Sequence, residues 1–204
     1  MLPVFEWGLN WVVTSFVAQY LSFHAAVVEK NGITLVLPAP PGSGKSTLCA
    51  ILMLSGWRLL SDEHCLLDME TLELVPYVRP VAIKNNSIAV LQSMFPTAQR
   101  SRIYADTIKG AIQYLAPTAA SWEQAQKRCR AVMIVFPQFQ SNSGLQLTHI
   151  NEADLFNRLL RNCFNYDVFG EQAFSTVCNW LDGLTAVDLV YSDSDAVLSW
   201  LDSL

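Results

Sequence analysis

The residues best equipped for chemistry form one short run, Ala39-Pro40-Pro41-Gly42-Ser43-Gly44-Lys45-Ser46-Thr47. It stands between an apolar, β-branched stretch (33–37) and an apolar stretch of helical character (45–55). That is the context a phosphate-binding P-loop requires. Small residues let backbone N–H groups turn inward around phosphate oxygens, and a helix that starts at Lys45 presents its positive end to the same anion. Lys45 supplies a point charge for β- and γ-phosphates, and the Ser46 hydroxyl is a ligand for Mg²⁺. Gly42, Ser43, Gly44, Lys45, Ser46 and Thr47 are therefore the candidate nucleotide contacts, with ATP and Mg²⁺ as the expected cofactors. Ala39 stands where the pattern has its first glycine. A tight strand-to-helix turn without a ligand is the plainer use of the same residues.

A second group follows one helix later. Ser61-Asp62-Glu63 comes directly after Trp57-Arg58-Leu59-Leu60. Acidic residues at a strand end beside such a loop hold magnesium or take a proton from an attacking hydroxyl. His24, upstream of the loop, is the third candidate, although a lone histidine is more often structural. Arg79 and Lys84 offer further positive charge to a transferring phosphoryl group, or are simply solvated at a strand edge.

The elements that must position these groups can be read from pattern. The chain has 204 residues, enough for one domain. Hydrophobic residues make up 51% and charged residues only 15%, so core material is ample and disorder is excluded. The low charge also points to a buried interface, and a homo-oligomer is expected. A net charge of −5 provides no basic excess for coating nucleic acid. Five scattered cysteines without a CxxC pair give no support to structural zinc and suit a reducing, cytoplasmic setting. From Leu9 to Val28 there is no charged residue, but Asn10, Thr14, Ser15, Gln19 and Ser22 interrupt the stretch. Residues 8–22 are read as a buried amphipathic helix, with Trp11, Val12, Val13, Phe16, Val17, Tyr20 and Leu21 on its apolar face, rather than as a stable membrane insertion. No Lys or Arg precedes Lys30, so the basic start of a signal peptide is missing.

Downstream, 24–29 and 33–37 read as a hairpin about Asn31-Gly32. Short strands are expected at 57–60, 64–68, 72–75 and 81–84, and a helix at 86–94. The stretch 95–126 reads as irregular. Strands at 130–136, 145–149 and 187–191 alternate with helices at 151–161, 171–181 and 193–204. The whole reads as one α/β domain with a mixed sheet.

In order and spacing, His24, the Gly32 turn, the loop at 39–46 and Asp62-Glu63 resemble the catalytic core of the HPr kinase/phosphorylase-related family. The closer likeness is to its HprK-related kinase A type. Phe5-Glu6-Trp7-Gly8-Leu9-Asn10, Arg79-Pro80-Val81, Lys84-Asn85, Asp106-Thr107-Ile108-Lys109-Gly110 and Phe164-Asn165-Tyr166 add to the likeness. The resemblance implies a P-loop fold akin to phosphoenolpyruvate carboxykinase over the whole chain. It also implies a catalytic pair, with Asp62 as the base toward an acceptor hydroxyl and His24 near the phosphates. Lys45 and Ser46 would hold the triphosphate and Mg²⁺, with Glu63 at the second acidic, metal-side position. No Arg-Gly-Leu-Gly segment follows, and the likeness thins beyond Lys84, which implies an acceptor other than HPr.

The expected function is ATP-dependent transfer of a phosphoryl group to a Ser or Thr hydroxyl of a protein or peptide. A non-catalytic nucleotide-binding regulatory or assembly module, and a small-molecule kinase, are the alternatives.

Overall fold

The computed structural model describes residues 3–16 and 19–204. In chain order its elements are helix α1 (Pro3–Phe16), strands β1 (Tyr20–Lys30) and β2 (Ile33–Pro38), and helix α2 (Lys45–Leu54). Strands β3 (Arg58–Ser61), β4 (His64–Asp68), β5 (Leu74–Val75) and β6 (Val81–Lys84) come next, then helix α3 (Asn86–Met94). Strands β7 (Tyr104–Thr107) and β8 (Gly110–Leu115), helix α4 (Ala119–Glu123), and strands β9 (Met133–Phe139) and β10 (Gln146–His149) follow. The chain closes with helices α5 (Glu152–Leu160), α6 (Tyr166–Phe169) and α7 (Glu171–Leu181), strand β11 (Thr185–Tyr191) and helix α8 (Ser194–Leu201).

Strand β1 is the centre of the architecture. Its side chains alternate, as a strand requires. Leu21, Phe23, Ala25 and Val27 enter one core, packed under α5 and α7 through Leu155, Leu159, Val177 and Trp180. Ala26 and Val28 enter the other core, with Leu48 and Leu52 of α2, Val81 and Ile83 of β6, and Val197 of α8. Helices thus cover both faces of a mixed eight-stranded sheet of order β10-β11-β9-β2-β1-β4-β5, with β3 also paired to β1. The β2–β9 and β9–β11 pairs are parallel, and the other pairs of this sheet are antiparallel. A smaller antiparallel sheet, β6-β8-β7, lies beside α2. Arg58, 4% exposed, ties the region after α4 to β1: it pairs with Glu29 and donates to the Gln124 and Lys127 carbonyls.

The hairpin turn is where Asn31 and Gly32 put it, both at positive φ (54° and 84°). The start of the chain differs from the expected helix over 8–22. The helix occupies Pro3–Phe16, and Tyr20 and Leu21 already belong to β1, because 20–24 find a ladder partner in β4. Nor is the apolar face buried as a unit: Val13 is 6% exposed, whereas Trp11 is 63% and Val12 44% exposed. Val17 and the Phe16 side chain lie outside the described residues. The stretch 95–126 is not irregular throughout, since it carries β7, β8 and α4. Among the described residues no helix is long and apolar enough to cross a membrane.

Gly44 caps α2 at φ 93°, and a Cβ there would stand 3.1 Å from the Phe139 Cβ. Gly42 has a similar φ of 88° but open space around it. Gly44→Ala adds a close contact to the left-handed backbone penalty of about 1–2 kcal/mol. It should melt several degrees below wild type, at about 2–4 °C per kcal/mol for a chain of this size. Gly42→Ala should lose less. Calorimetry checks this, and equal melting temperatures for the two variants would contradict it.

Candidate functional site

Register brings the candidate residues together. Ala25 of β1 is paired with Pro38, the last residue of β2 before the glycine-rich loop. On the other side of β1, β3 ends opposite Val27 and β4 begins opposite His24. Asp62 and Glu63 fill the break between β3 and β4, level with Ala25 and Ala26. The loop and the acidic pair therefore leave the sheet at the same height, separated by one strand. Ser61 shapes the break by accepting from the Glu63 and His64 amides at 3.3 and 3.0 Å.

A cleft of about 530 Å³ opens there. The loop residues Gly42, Ser43, Gly44, Lys45, Ser46 and Thr47 form its floor, with His24, Asp62 and Glu63 on its wall. These nine residues drawn from the sequence are thus gathered around one space, and Lys84 with them. Lys45 is 7% exposed, and its Nζ donates to the Asp62 carbonyl at 2.7 Å. Gly44 gives the N-terminus of α2 no side-chain cap, and the Lys45 amide donates to the Ser43 hydroxyl at 3.3 Å, a long bond that an anion seated on the helix start would replace. Thr47 donates to the Ser87 hydroxyl at 2.7 Å, which fixes the start of α3 against α2.

Lys84 and Lys109 complete the cleft on the side of the small sheet. Asn85 holds them there. It sits at φ 52°, and its Oδ1 accepts from the Ala111 amide at 3.1 Å. A Cβ at Gly110 would lie 2.3 Å from that oxygen, so the turn after Lys109 requires glycine. Lys109, Asn85 and Ser87 were not among the candidates drawn from pattern; the Lys-Gly turn was the available signal for Lys109. Arg79 sits elsewhere. Its guanidinium stacks on Tyr77 at 4.4 Å, and it lines a small recess with Glu6, Asp62 and Glu63.

The acids and histidines are strongly tuned. Burial pushes the Asp62 carboxyl up, against the charge of Lys45 and the Ser46 hydroxyl beside it. Its Oδ1 is buried without a hydrogen-bond partner. Burial also acts on Glu63, but Asn10 Nδ2, donating at 2.9 Å, and the Lys45 charge outweigh it and hold that carboxyl below its usual range. Asn10 belongs to α1, which is further anchored by the Tyr114 hydroxyl donating to Glu6 at 2.5 Å. His24 is pushed down to about 4 by burial and by Lys45. At neutral pH it is therefore an uncharged imidazole at the end of the loop. His64, cross-strand from His24, is pushed down to about 4 by burial and by Arg79. Its Nδ1 lies 3.3 Å from the Ser22 hydroxyl, and its Nε2 has no partner.

Among the described residues, no group of three His, Cys, Asp or Glu side chains is arranged to hold a metal ion by itself. The chain matches no family model and no curated protein.

The histidine environment sets an acid limit on the fold. The unfolded His64 binds its proton near pH 6.5 and the folded one only near 4. In that window the unfolded chain holds more protons, so stability is present above 6.5 and is lost as pH falls toward 4. The loss is about 2 kcal/mol between pH 7 and pH 5 for one such group. His24 adds to it in the same direction. Urea unfolding at stepped pH should show this slope, and His64→Asn should flatten it. A slope unchanged by the substitution would assign the acid sensitivity to other groups.

Proposed function

We propose that the chain is an ATP-dependent kinase that transfers the γ-phosphoryl group to a Ser or Thr hydroxyl of a protein or peptide. The observation that carries this reading is the meeting of Lys45, Ser46, Asp62 and His24, from three separate segments, around the amide-rich loop. Such transfer needs positioning and charge neutralisation more than covalent chemistry from the protein. Lys45, Lys84 and Lys109 supply positive charge to the cleft, and the amides of the loop supply donors. The ordered likeness to the HPr kinase/phosphorylase-related family supports the same reading.

The residues present fit Mg²⁺ delivered with a triphosphate. Magnesium keeps several waters and takes ligands from phosphate, so one or two protein groups suffice. Ser46 and Glu63 are the candidates, and the unpartnered Asp62 Oδ1 is a further oxygen at the same corner. The metal would neutralise charge on the transferred group.

Asp62 is the proposed base, with its carboxyl already raised toward the range in which a base works well. The acceptor oxygen forms a bond to the γ-phosphorus, the bond from that phosphorus to the bridging oxygen breaks, and the hydroxyl proton passes to Asp62. ADP leaves with the electron pair. The Ser46 hydroxyl beside Asp62 favours a second reading, in which Asp62 orients Ser46 toward the metal and Glu63 takes the proton.

Lys45→Ala should fold and lose ATP affinity. Asp62→Asn should keep ATP affinity while turnover falls about 10²–10⁴-fold, the range for loss of a general base. Loss of Mg²⁺-dependent binding in Asp62→Asn would move that residue to the metal side. Incubation with γ-labelled ATP and cell extract identifies the acceptor class. A labelled protein supports the proposal, a labelled small molecule replaces it with small-molecule phosphorylation, and binding without transfer replaces it with a regulatory nucleotide-binding module.

Self-association is part of the proposal. Charged residues are only 15% of the chain, and α1 turns Phe5, Trp11 and Val12 outward at 62%, 63% and 44% exposure. Light scattering at tens of micromolar should show a dimer or larger, and a clean monomer would contradict it.

A further inference from the structure

We infer that a second groove, continuous with the cleft, receives an acidic segment of the acceptor next to its reacting hydroxyl. This rests on the phosphoryl-transfer reading above.

The groove arises where β1 changes partners. From Ala25 upward, β1 is paired with β2 on one edge. Below Ala25 the chain of β2 has already left as the loop, and a different segment takes that edge. The His24 amide donates to the Asn162 carbonyl at 2.6 Å, and the Phe164 amide donates to the Ser22 carbonyl at 2.8 Å. Asn165 extends this pairing with its side chain: Oδ1 accepts from the Ser22 amide at 3.0 Å, and Nδ2 donates to the Tyr20 carbonyl at 2.9 Å. Between this segment and the departing Pro40-Pro41 lies a space of about 510 Å³.

His24, Pro40 and Pro41 line both spaces, so the groove opens onto the cleft at those residues. This is the transferring end. A triphosphate that follows the loop from the start of α2 runs toward the Lys45 ammonium, which points at Asp62. The groove begins at His24, so an acceptor lying in it reaches the far end of the phosphate chain past that residue.

The chemistry of the groove selects for negative charge. Its lining includes Arg158 and Arg161 and no carboxylate. Arg158 is fixed as a plane by two hydrogen bonds to Asp188, at 2.9 and 2.6 Å, and by stacking on Phe136 at 3.9 Å. Arg161 follows α5, is exposed, and makes no ion pair among the described residues. Its guanidinium is thus the uncommitted cation of the groove, with a geometry suited to carboxylates. Pro40, Pro41, Phe136 and Phe164 give an apolar bed, and Phe164, 44% exposed, opens it to solvent at that residue. An open, apolar groove with a free arginine suits an extended segment that carries Asp or Glu beside its Ser or Thr.

The test uses the full chain and two short fluorescein-labelled peptides with a central serine, one flanked by glutamates and one by lysines. Fluorescence anisotropy is read without nucleotide, and phosphate transfer is read with ATP and Mg²⁺. The acidic peptide should bind about tenfold more tightly than the basic one, with the preference falling as salt rises. Arg161→Glu should abolish or reverse the preference, and Arg161→Lys should restore part of it. Equal binding of the two peptides, or a preference unchanged in Arg161→Glu, overturns the inference. The outcomes separate the two claims. Acidic preference without transfer in either peptide upholds the groove and counts against the kinase reading. Transfer to both peptides at equal rates and affinities upholds the kinase and removes the groove.

Discussion

Strand β1 has to satisfy its backbone on both edges, and the way it does so builds the site. A central strand in a covered sheet cannot leave amides and carbonyls unpaired without a large penalty. One edge of β1 is taken by β2 and then, below Ala25, by the 162–164 segment. The other edge is taken by β3 and then, below the Asp62-Glu63 break, by β4. Both hand-overs fall at the same level of the strand. The loop leaves at one, the acidic pair protrudes at the other, and His24 lies at the seam. The two alanines at that level, both fully buried, let the two sides approach across a single strand.

Charge then distinguishes the groups gathered there. The Lys45 ammonium is nearly buried and lies close to Asp62, Glu63 and His24, so it biases all three. It favours ionised carboxylates and an uncharged imidazole. Burial opposes the first effect and reinforces the second. The two adjacent acids end in opposite conditions because their local partners differ: Glu63 receives a hydrogen bond from Asn10, whereas Asp62 keeps an oxygen with none. Pairs of acids driven apart in this way are the usual basis for assigning different roles to neighbouring carboxyls. Helix α1 is therefore part of the site electrostatically, through Asn10, as well as a cover over the recess containing Glu6.

Much of this was legible from residue types. The Asn-Gly turn, the glycine-rich run, and the helix from Lys45 follow local rules that hold irrespective of context. The strand at Val81–Lys84, the helices at Asn86–Met94 and Glu171–Leu181, and nine of the residues that line the cleft were legible from sequence as well. The start of β1 was not. Residues 20–22 satisfy a helical period as well as a strand period, and only a partner from residues 64–68 decides between them. β7 is short and polar, and β8 shows no alternation because Ile112, Gln113, Tyr114 and Leu115 are all buried, on both faces of the strand. Asn165 carries no local signal for its role. Its use as a strand substitute depends on contacts with residues more than 140 positions away.

Phosphate-first binding of a nucleoside triphosphate in the cleft at the meeting point on β1 is the proposal from which the others follow. Backbone amide shifts followed by NMR during titration with Mg²⁺-ATP locate binding residue by residue. Saturable shifts should begin in the amides of residues 42–47 and extend to His24, Asp62 and Glu63, with the same residues responding more weakly to ADP. Saturable binding that leaves the 42–47 amides unmoved, or no shift at millimolar nucleotide, would contradict it.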